Sequence, residues 1–353
     1  MDTQFVRDHI AACLYGGALG DALGYAIEFD SWKTIQAKYG PCGIQAPELD
    51  GGKARVSDDT QMTLFTAEGI GYGFFRAAER GIGADAEHYI YQSYLCWLQT
   101  QGYPAESLWS QVSRLKANPD MNHRRAPGNT CLSALRSGKM GTLDEPINNS
   151  KGCGGVMRTA PLGFLRCAWN GKNPYGSPLL CGARAAAITH GHPLGWIPAG
   201  MLSDMVDRCL YEKYPSLKQL TEDSLAETVR TFADIPEIKP FEALIRRAIA
   251  LSESPVETAE EPVVRSLGGG WVGEEALAIA IYAVLRHPSN LKNALLAAVN
   301  HSGDSDSTGA IAGNILGAYL GMKAIPVDWT DKLELRDEMD EIADMMKRAI
   351  EYY

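Results

Sequence analysis

The chain has 353 residues, 45% of them hydrophobic and 22% charged, enough to bury a substantial core as one domain over 1–353. Its formal net charge of -10, with no clustered Lys and Arg, argues against a nucleic-acid surface, and any anionic ligand must be held by local N–H groups, helix starts or bound cations. No run is long enough to span a bilayer, the N-terminus lacks the basic start of a secretory signal, and the eight cysteines form no C-x-x-C pair, which together point to a cytoplasmic protein with buried free thiols.

Helical periodicity begins over 7–19 and runs into a glycine-rich joint, Gly16-Gly17-Ala18-Leu19-Gly20-Asp21-Ala22-Leu23-Gly24. No strand precedes this joint and no G-x-x-x-x-G-K-[ST] occurs, so P-loop and Rossmann readings fail, and the glycines suit close helix packing or helix termination. Glu28 follows, flanked by apolar groups that raise a carboxyl pKa and suit acid–base work. Ser57-Asp58-Asp59-Thr60 then opens a helix over 60–80, with Ser57 as its cap and two carboxylates at its positive end. After a helix over 86–101, the segment Asn149-Ser150-Lys151-Gly152-Cys153-Gly154-Gly155 leads into Val156-Met157-Arg158, and its small residues free backbone N–H groups for an anion.

Further helices are expected over 179–190, 198–212, 224–232, 240–252, 274–286, 291–299, 310–320 and 333–352. His190 and His192 lack a third soft ligand nearby, so a histidine that hydrogen-bonds a ligand or a helix end is expected there rather than a zinc site. A third glycine joint, Gly268-Gly269-Gly270-Trp271, precedes the helix over 274–286. In the last segment Leu335, Met339, Ile342, Met345, Met346 and Ile350 recur three to four residues apart. Strand-like alternation is nearly absent, and the fold class is all-α: a single compact multi-helix domain.

The second acidic cluster, Gly303-Asp304-Ser305-Asp306-Ser307-Thr308-Gly309, also opens an apolar helix, with Asp304 and Asp306 on an extended or turning backbone before residue 310. It matches the first half of a calcium-binding helix-loop-helix loop, but Ile315 stands where the bidentate Glu is required. It also matches the Asp-x-Asp-x-Thr nucleophile of haloacid-dehalogenase-type phosphatases, which should follow a buried strand, whereas 291–299 is helix-like. Asp58, Asp59, Asp304 and Asp306 with their adjacent hydroxyls offer hard oxygen ligands that suit Mg²⁺, Mn²⁺ or Ca²⁺ if the fold joins them.

Together these blocks resemble the ADP-ribosylglycohydrolase family in family order over nearly the whole chain, with Arg125-Ala126-Pro127-Gly128 and Thr189-His190 among the matches. The resemblance implies a two-magnesium centre, with Mn²⁺ as a substitute, held by Ser57, Asp58, Asp59, Asp304, Asp306 and Ser307, Thr308 being the alternative hydroxyl. It implies that Asn149, Ser150, Lys151, Gly152, Cys153, Gly154, Gly155, His190 and Trp271 face the substrate, Cys153 standing where many members carry Asn. Asp58, Asp59 and Glu28 become the candidate catalytic groups, whose acid and base roles stay unassigned. The implied activity is removal of ADP-ribose from modified protein side chains, arginine before serine. The protein would be a monomer, since no heptad seam appears. Its partners would be ADP-ribosylated protein and a cognate ADP-ribosyltransferase toxin that it opposes as an immunity protein. A non-catalytic, crystallin-like scaffold is the alternative.

Overall fold

A computed structural model describes residues 1–83, 85–167, 170–254 and 261–352. The described residues form sixteen α-helices and no strand beyond three isolated bridges. In chain order these are α1 (Thr3–Tyr25), α2 (Trp32–Tyr39), α3 (Asp58–Arg80), α4 (Ala86–Thr100), α5 (Arg114–Ala117), α6 (Asn129–Arg136), α7 (Pro178–Ala187), α8 (Pro193–Tyr211), α9 (Leu217–Thr231), α10 (Ile238–Glu253), α11 (Glu261–Arg265), α12 (Gly273–Arg286), α13 (Leu291–Val299), α14 (Ser305–Leu320), α15 (Val327–Thr330) and α16 (Arg336–Glu351).

Helices α1 and α14 cross at the centre, backbone against backbone. A Cβ at Gly20 would lie 2.0 Å from the Gly309 carbonyl oxygen, and one at Gly313 would lie 1.9 Å from that of Gly16. Gly24 of α1 meets the Ser305 backbone in the same way, at 2.2 Å. The expectation of a helix ending at residue 19 is therefore corrected: α1 continues through its glycines to Tyr25. Each interior glycine costs a helix about 1 kcal/mol, and here the close packing of two buried helices offsets that cost. The crossing has a functional consequence, because the C-terminal turns of α1 carry Asp21, the following turn carries Glu28, and the start of α14 carries Asp306.

Several helix starts differ from the sequence reading by a cap or a turn. Helix α14 begins at Ser305, with the Asp304 side chain accepting from Ser307 N, so Asp306 lies inside the first turn and not on extended chain ahead of residue 310. Helix α8 starts at Pro193 behind a His192 cap and carries Pro198 in its interior, where the sequence reading began the helix. Helix α3 starts at Asp58, capped by the Ser57 hydroxyl, which accepts from Asp59 N at 3.1 Å. Leu14 of α1 and Leu64 of α3 line one small internal gap, and Gly71 of α3 faces Met345 and Met346 of α16. No helix among the described residues is long and apolar enough to cross a membrane.

Candidate metal centre

The two acidic clusters meet where the N-termini of α3 and α14 converge over the end of α1. Asp21 is fully buried and accepts from Ser57 N at 2.9 Å, Thr60 N at 3.0 Å and Thr60 Oγ1 at 2.5 Å, so one carboxylate fixes the first turn of α3. Asp58 is gripped by the segment that crosses above it. Its N–H donates to Arg125 O at 2.9 Å, and its Oδ2 accepts from Gly128 N at 3.2 Å. Ala126 between them takes a left-handed conformation, φ 51°.

On the other side, Asp304 N donates to Gly269 O at 2.8 Å, and Ser307 N donates to Asp306 Oδ1 at 3.0 Å. The third glycine joint exists for this approach: a Cβ at Gly303 would lie 2.1 Å from Gly269 O, and Gly270 adopts φ +80° against Asp304 and Thr308. The Ser57 hydroxyl reaches Asp306 and stabilises its charge, which links the two clusters. Of the two candidate hydroxyls on α14, Thr308 is occupied with His301 Nε2 at 3.0 Å and the carbonyls of Ala298 and Asp304. Ser307 Oγ contacts Met157 Sδ at 3.9 Å and lies beside the Cys153 thiol without bonding a carbonyl, so it is the less committed of the two hydroxyls.

Electrostatics mark this cluster as built for a cation. Burial, and then the Asp306 charge, pushes Glu28 up to about 9 and Asp21 up to about 7. The same two causes, in the same order, hold Asp58, Asp59 and Asp304 well above the usual carboxylate range. Carboxylate oxygens of Glu28, Asp304 and Asp306 lie within 4.8 Å of one another. Glu28 Oε2 and Asp59 Oδ2 are buried with no hydrogen-bond partner. Crowded, orphaned carboxylate oxygens are costly to ionise, and a divalent cation relieves both desolvation and repulsion. The donor set is carboxylate and hydroxyl oxygen, so the residues fit Mg²⁺ or Mn²⁺.

The glycine loop lies against the Asp304 side. Cys153 Sγ donates to Asp304 Oδ2 at 2.6 Å, and burial, then Asp304, pushes this thiol well above its ordinary value and keeps it protonated. Gly152–Val272 bridging, Cys153 N donating to Trp271 O at 3.2 Å and Gly273 N donating to Lys151 O at 2.9 Å bind the loop to the third glycine joint. Lys151 pairs with Glu274, Ser150 Oγ accepts from Gly152 N at 3.3 Å, and Asn149 is exposed at the loop's edge. His190 lies beneath: a Cβ at Gly152 would stand 3.3 Å from its Nε2, and its Nδ1 meets Thr189 Oγ1 at 2.8 Å. Burial, then the nearby Arg158, lowers His190 to about 3, so it is neutral. His192 caps α8 by accepting from Leu194 N, which is the helix-end role expected of a histidine here. Trp271 is exposed and stacks on the still more exposed Phe29, ring centroids 6.0 Å apart.

Ser57, Asp58, Asp59, Asp304, Asp306, Ser307 and Glu28 are thus brought together, with the loop 150–155 and Trp271 beside them and His190 under the loop. Sequence reasoning missed Asp21 as a site residue, although it lies in the first glycine joint, because its partners are 36 and 39 residues away. It also missed Asn148, which accepts from Ser150 N and Gly191 N and donates to Thr189 O, fastening the glycine loop to the histidine segment. Buried Arg158 was quoted only as the end of a motif; its guanidinium donates to Thr189 Oγ1 at 2.6 Å and lies over the Tyr94 ring at 4.5 Å.

Known proteins resemble this chain over nearly its whole length. The family model described as ADP-ribosylglycohydrolase matches residues 2–352. Mouse ADP-ribosylhydrolase ARH3 is 26% identical over 96% of this chain and 91% of its own length. The ADP-ribosyl-[dinitrogen reductase] glycohydrolase of Rhodospirillum rubrum is 25% identical over 95% of this chain and 93% of its own. A solved structure titled as an ADP-ribosylglycohydrolase-related protein complex superposes with a TM-score of 0.61 at 24% identity, covering 98% of this chain and 99% of that one, and shares the fold.

Proposed function

The chain belongs to the ADP-ribosylglycohydrolase family, and from that premise we propose that it hydrolyses the bond between ADP-ribose and a modified protein side chain, arginine in first place. The observation that carries this reading is the convergence of two remote acidic clusters around unpartnered Glu28 and Asp59 oxygens, next to a glycine loop that lies against Asp304. Ser57, Asp58, Asp59, Asp304, Asp306 and Ser307 would hold two Mg²⁺ ions, or Mn²⁺ in their place. When bound, such ions supply positive charge that orients a ribose diol and lowers the pKa of bound water.

The chain's own groups do the rest. Lys151 and the glycine loop would meet a diphosphate, which the net charge of -10 would otherwise repel, although the N–H groups of Ser150, Gly152, Cys153 and Gly155, expected from sequence to be free, are engaged within the protein. Trp271 offers an exposed ring face for a base. Glu28, at the end of α1 and facing Asp304 and Asp306, is positioned to exchange a proton with the departing nitrogen or with water as oxocarbenium character develops at the ribose C1. Asp58 and Asp59 orient that water. The arginine preference is supported by the Gly152-Cys153-Gly154-Gly155-Val156-Met157-Arg158 block, and reversal of a toxin's arginine mark is the cellular role that fits it.

Release of free ADP-ribose from arginine-, serine- and poly-modified substrates, with and without magnesium, tests the reading. Magnesium-dependent release from the arginine substrate is expected to exceed the others. Release from serine alone would overturn the acceptor, and no release from any would overturn the activity.

A further inference from the structure

Beneath the glycine loop a buried cation has no carboxylate against it. Arg158 is 0% exposed, and among the described residues its guanidinium meets the Cys131 and Met62 sulfurs, the Tyr94 ring and, at 2.6 Å from Nη2, Thr189 Oγ1. A charge buried without a counter-ion is costly to keep. The hydroxyl it grips leads onward: Thr189 Oγ1 lies 2.8 Å from His190 Nδ1, and the His190 ring sits under Gly152 and Gly154.

The directions of these hydrogen bonds are forced. A guanidinium only donates, so Thr189 Oγ1 receives Arg158 on a lone pair and keeps its own proton to give. Among the described residues, His190 Nδ1 is the one nitrogen or oxygen positioned to take that proton. The reverse arrangement, with Nδ1–H donating to Thr189, would turn an N–H toward the Arg158 charge and leave the hydroxyl proton only the weakly accepting Cys131 sulfur. Burial, then Arg158, lowers His190 to about 3, so at neutral pH the ring carries one proton. With Nδ1 accepting, that proton sits on Nε2.

Nε2 is turned to the loop. A Cβ at Gly152 would stand 3.3 Å from it and one at Gly154 would stand 3.5 Å away, so the missing side chains keep that approach open. Nε2 bonds nothing among the described residues, and it is not sealed from solvent as Arg158 Nε is. The loop's N–H groups at Ser150, Gly152, Cys153 and Gly155 are engaged, which makes this unused donor below them the more valuable to an anion.

We infer that Arg158 and Thr189 are positioning residues that hold His190 as the Nε2–H tautomer, aimed at an oxygen of a diphosphate lying along the glycine loop. The family resemblance makes His190 face the substrate; which nitrogen does so, and that it carries the proton, follows from the hydrogen bonds running from Arg158 through Thr189. The inference rests on the reading that the loop meets ADP-ribose. In the other tautomer an Nε2 lone pair would face anionic oxygen and repel it. Each donor in the chain polarises the next, so the buried charge strengthens the last N–H.

The test combines nitrogen-15 NMR of histidine-labelled protein at pH 7 with magnesium, His190→Asn identifying the ring's signals, and calorimetric titration with ADP-ribose. The wild type is expected to show His190 protonated at Nε2 and unprotonated at Nδ1, with the Nε2 signal moving as ADP-ribose binds. Thr189→Val removes the hydroxyl at nearly constant shape and is expected to abolish the tautomer preference and raise the ADP-ribose Kd about tenfold or more, as loss of a hydrogen bond to a charged group requires. Thr189→Ser, which keeps the hydroxyl, is expected to restore both. A wild type that binds ADP-ribose but carries the proton on Nδ1, or whose Nε2 signal ignores the ligand, overturns the inference alone. A folded Thr189→Val protein with unchanged tautomer and affinity does the same, and the wild-type spectrum decides even where that variant fails to fold. A wild type that binds no ADP-ribose overturns the underlying reading and this inference with it.

Discussion

Replacing Gly20 by alanine probes the crossing that brings the acids together. The new Cβ would lie 2.0 Å from the Gly309 carbonyl oxygen and 2.3 Å from its carbon, short of the 3.4 Å of ordinary contact by about 1.4 Å. The obstacle is backbone, so no rotamer change relieves it, and α1 and α14 must separate by on the order of 1 Å. Alanine gains about 1 kcal/mol of helix propensity over glycine, whereas overpacking of a rigid core costs about 1–3 kcal/mol and more where only backbone can move. The net is a loss of about 2 kcal/mol, read from urea unfolding. Displacing Asp21 and Glu28 by that distance from Asp306 is expected to reduce turnover about 100-fold, read from ADP-ribose release. A Gly20→Ala protein more stable than wild type by about 1 kcal/mol, with full turnover, would refute the close approach and the placement of the acids derived from it.

Asp21→Asn keeps the shape but sets an amide NH₂ against the Ser57 and Thr60 donors. It is expected to weaken Mg²⁺ binding at least about tenfold by calorimetry in a protein that still folds, since each lost charged hydrogen bond is worth about 1.5–3 kcal/mol; unchanged affinity would remove Asp21 from any positioning role. His190 falls to about 3 in the fold from an ordinary 6.5, so its contribution to stability is complete above pH 6.5 and is lost as pH falls from there toward 3, about 2 kcal/mol by pH 5. His190→Asn is accordingly expected to shrink the stability loss between pH 7 and pH 5 by about that amount in denaturant titrations, and an unchanged loss would contradict a neutral buried imidazole. Among the eight thiols, Cys42 is exposed, while Cys153 is held protonated by burial and Asp304. A disulfide reagent at pH 8 should therefore modify one thiol rapidly, and a Cys42→Ser protein that still shows a fast thiol would contradict this.

Much of the helical framework was legible in the sequence because its signals are local. The three-to-four-residue repeat from Met339 to Ile350 became α16, and 291–299 became α13 with the same bounds. Where the reading stopped early, tertiary contact had overridden local preference. Glycine lowers helix propensity, so the chain after residue 19 read as a joint, yet Gly20 and Gly24 are helical because α14 requires their missing side chains. The short helices α2 and α6 were missed for the opposite reason: at eight residues each, they show too few turns for a period to emerge. At the site, carboxylate pairs announced themselves through composition and spacing. Asp21, Asn148 and Arg158 did not, since each acts through partners remote in the chain, and no local pattern encodes a contact made 30 or more residues away. The glycine joints read equally as close packing or as helix termination, and at Gly20 and Gly303 backbone passes close to backbone, a choice only the packed fold makes.

The most direct measurement is anomalous diffraction at the manganese edge from crystals grown with Mn²⁺ and ADP-ribose. The account expects two manganese peaks among the side chains of Ser57, Asp58, Asp59, Asp304, Asp306 and Ser307, with a ribose against them and the diphosphate along residues 150–155. Manganese bound elsewhere, or a nucleotide seated away from these carboxylates, would contradict it.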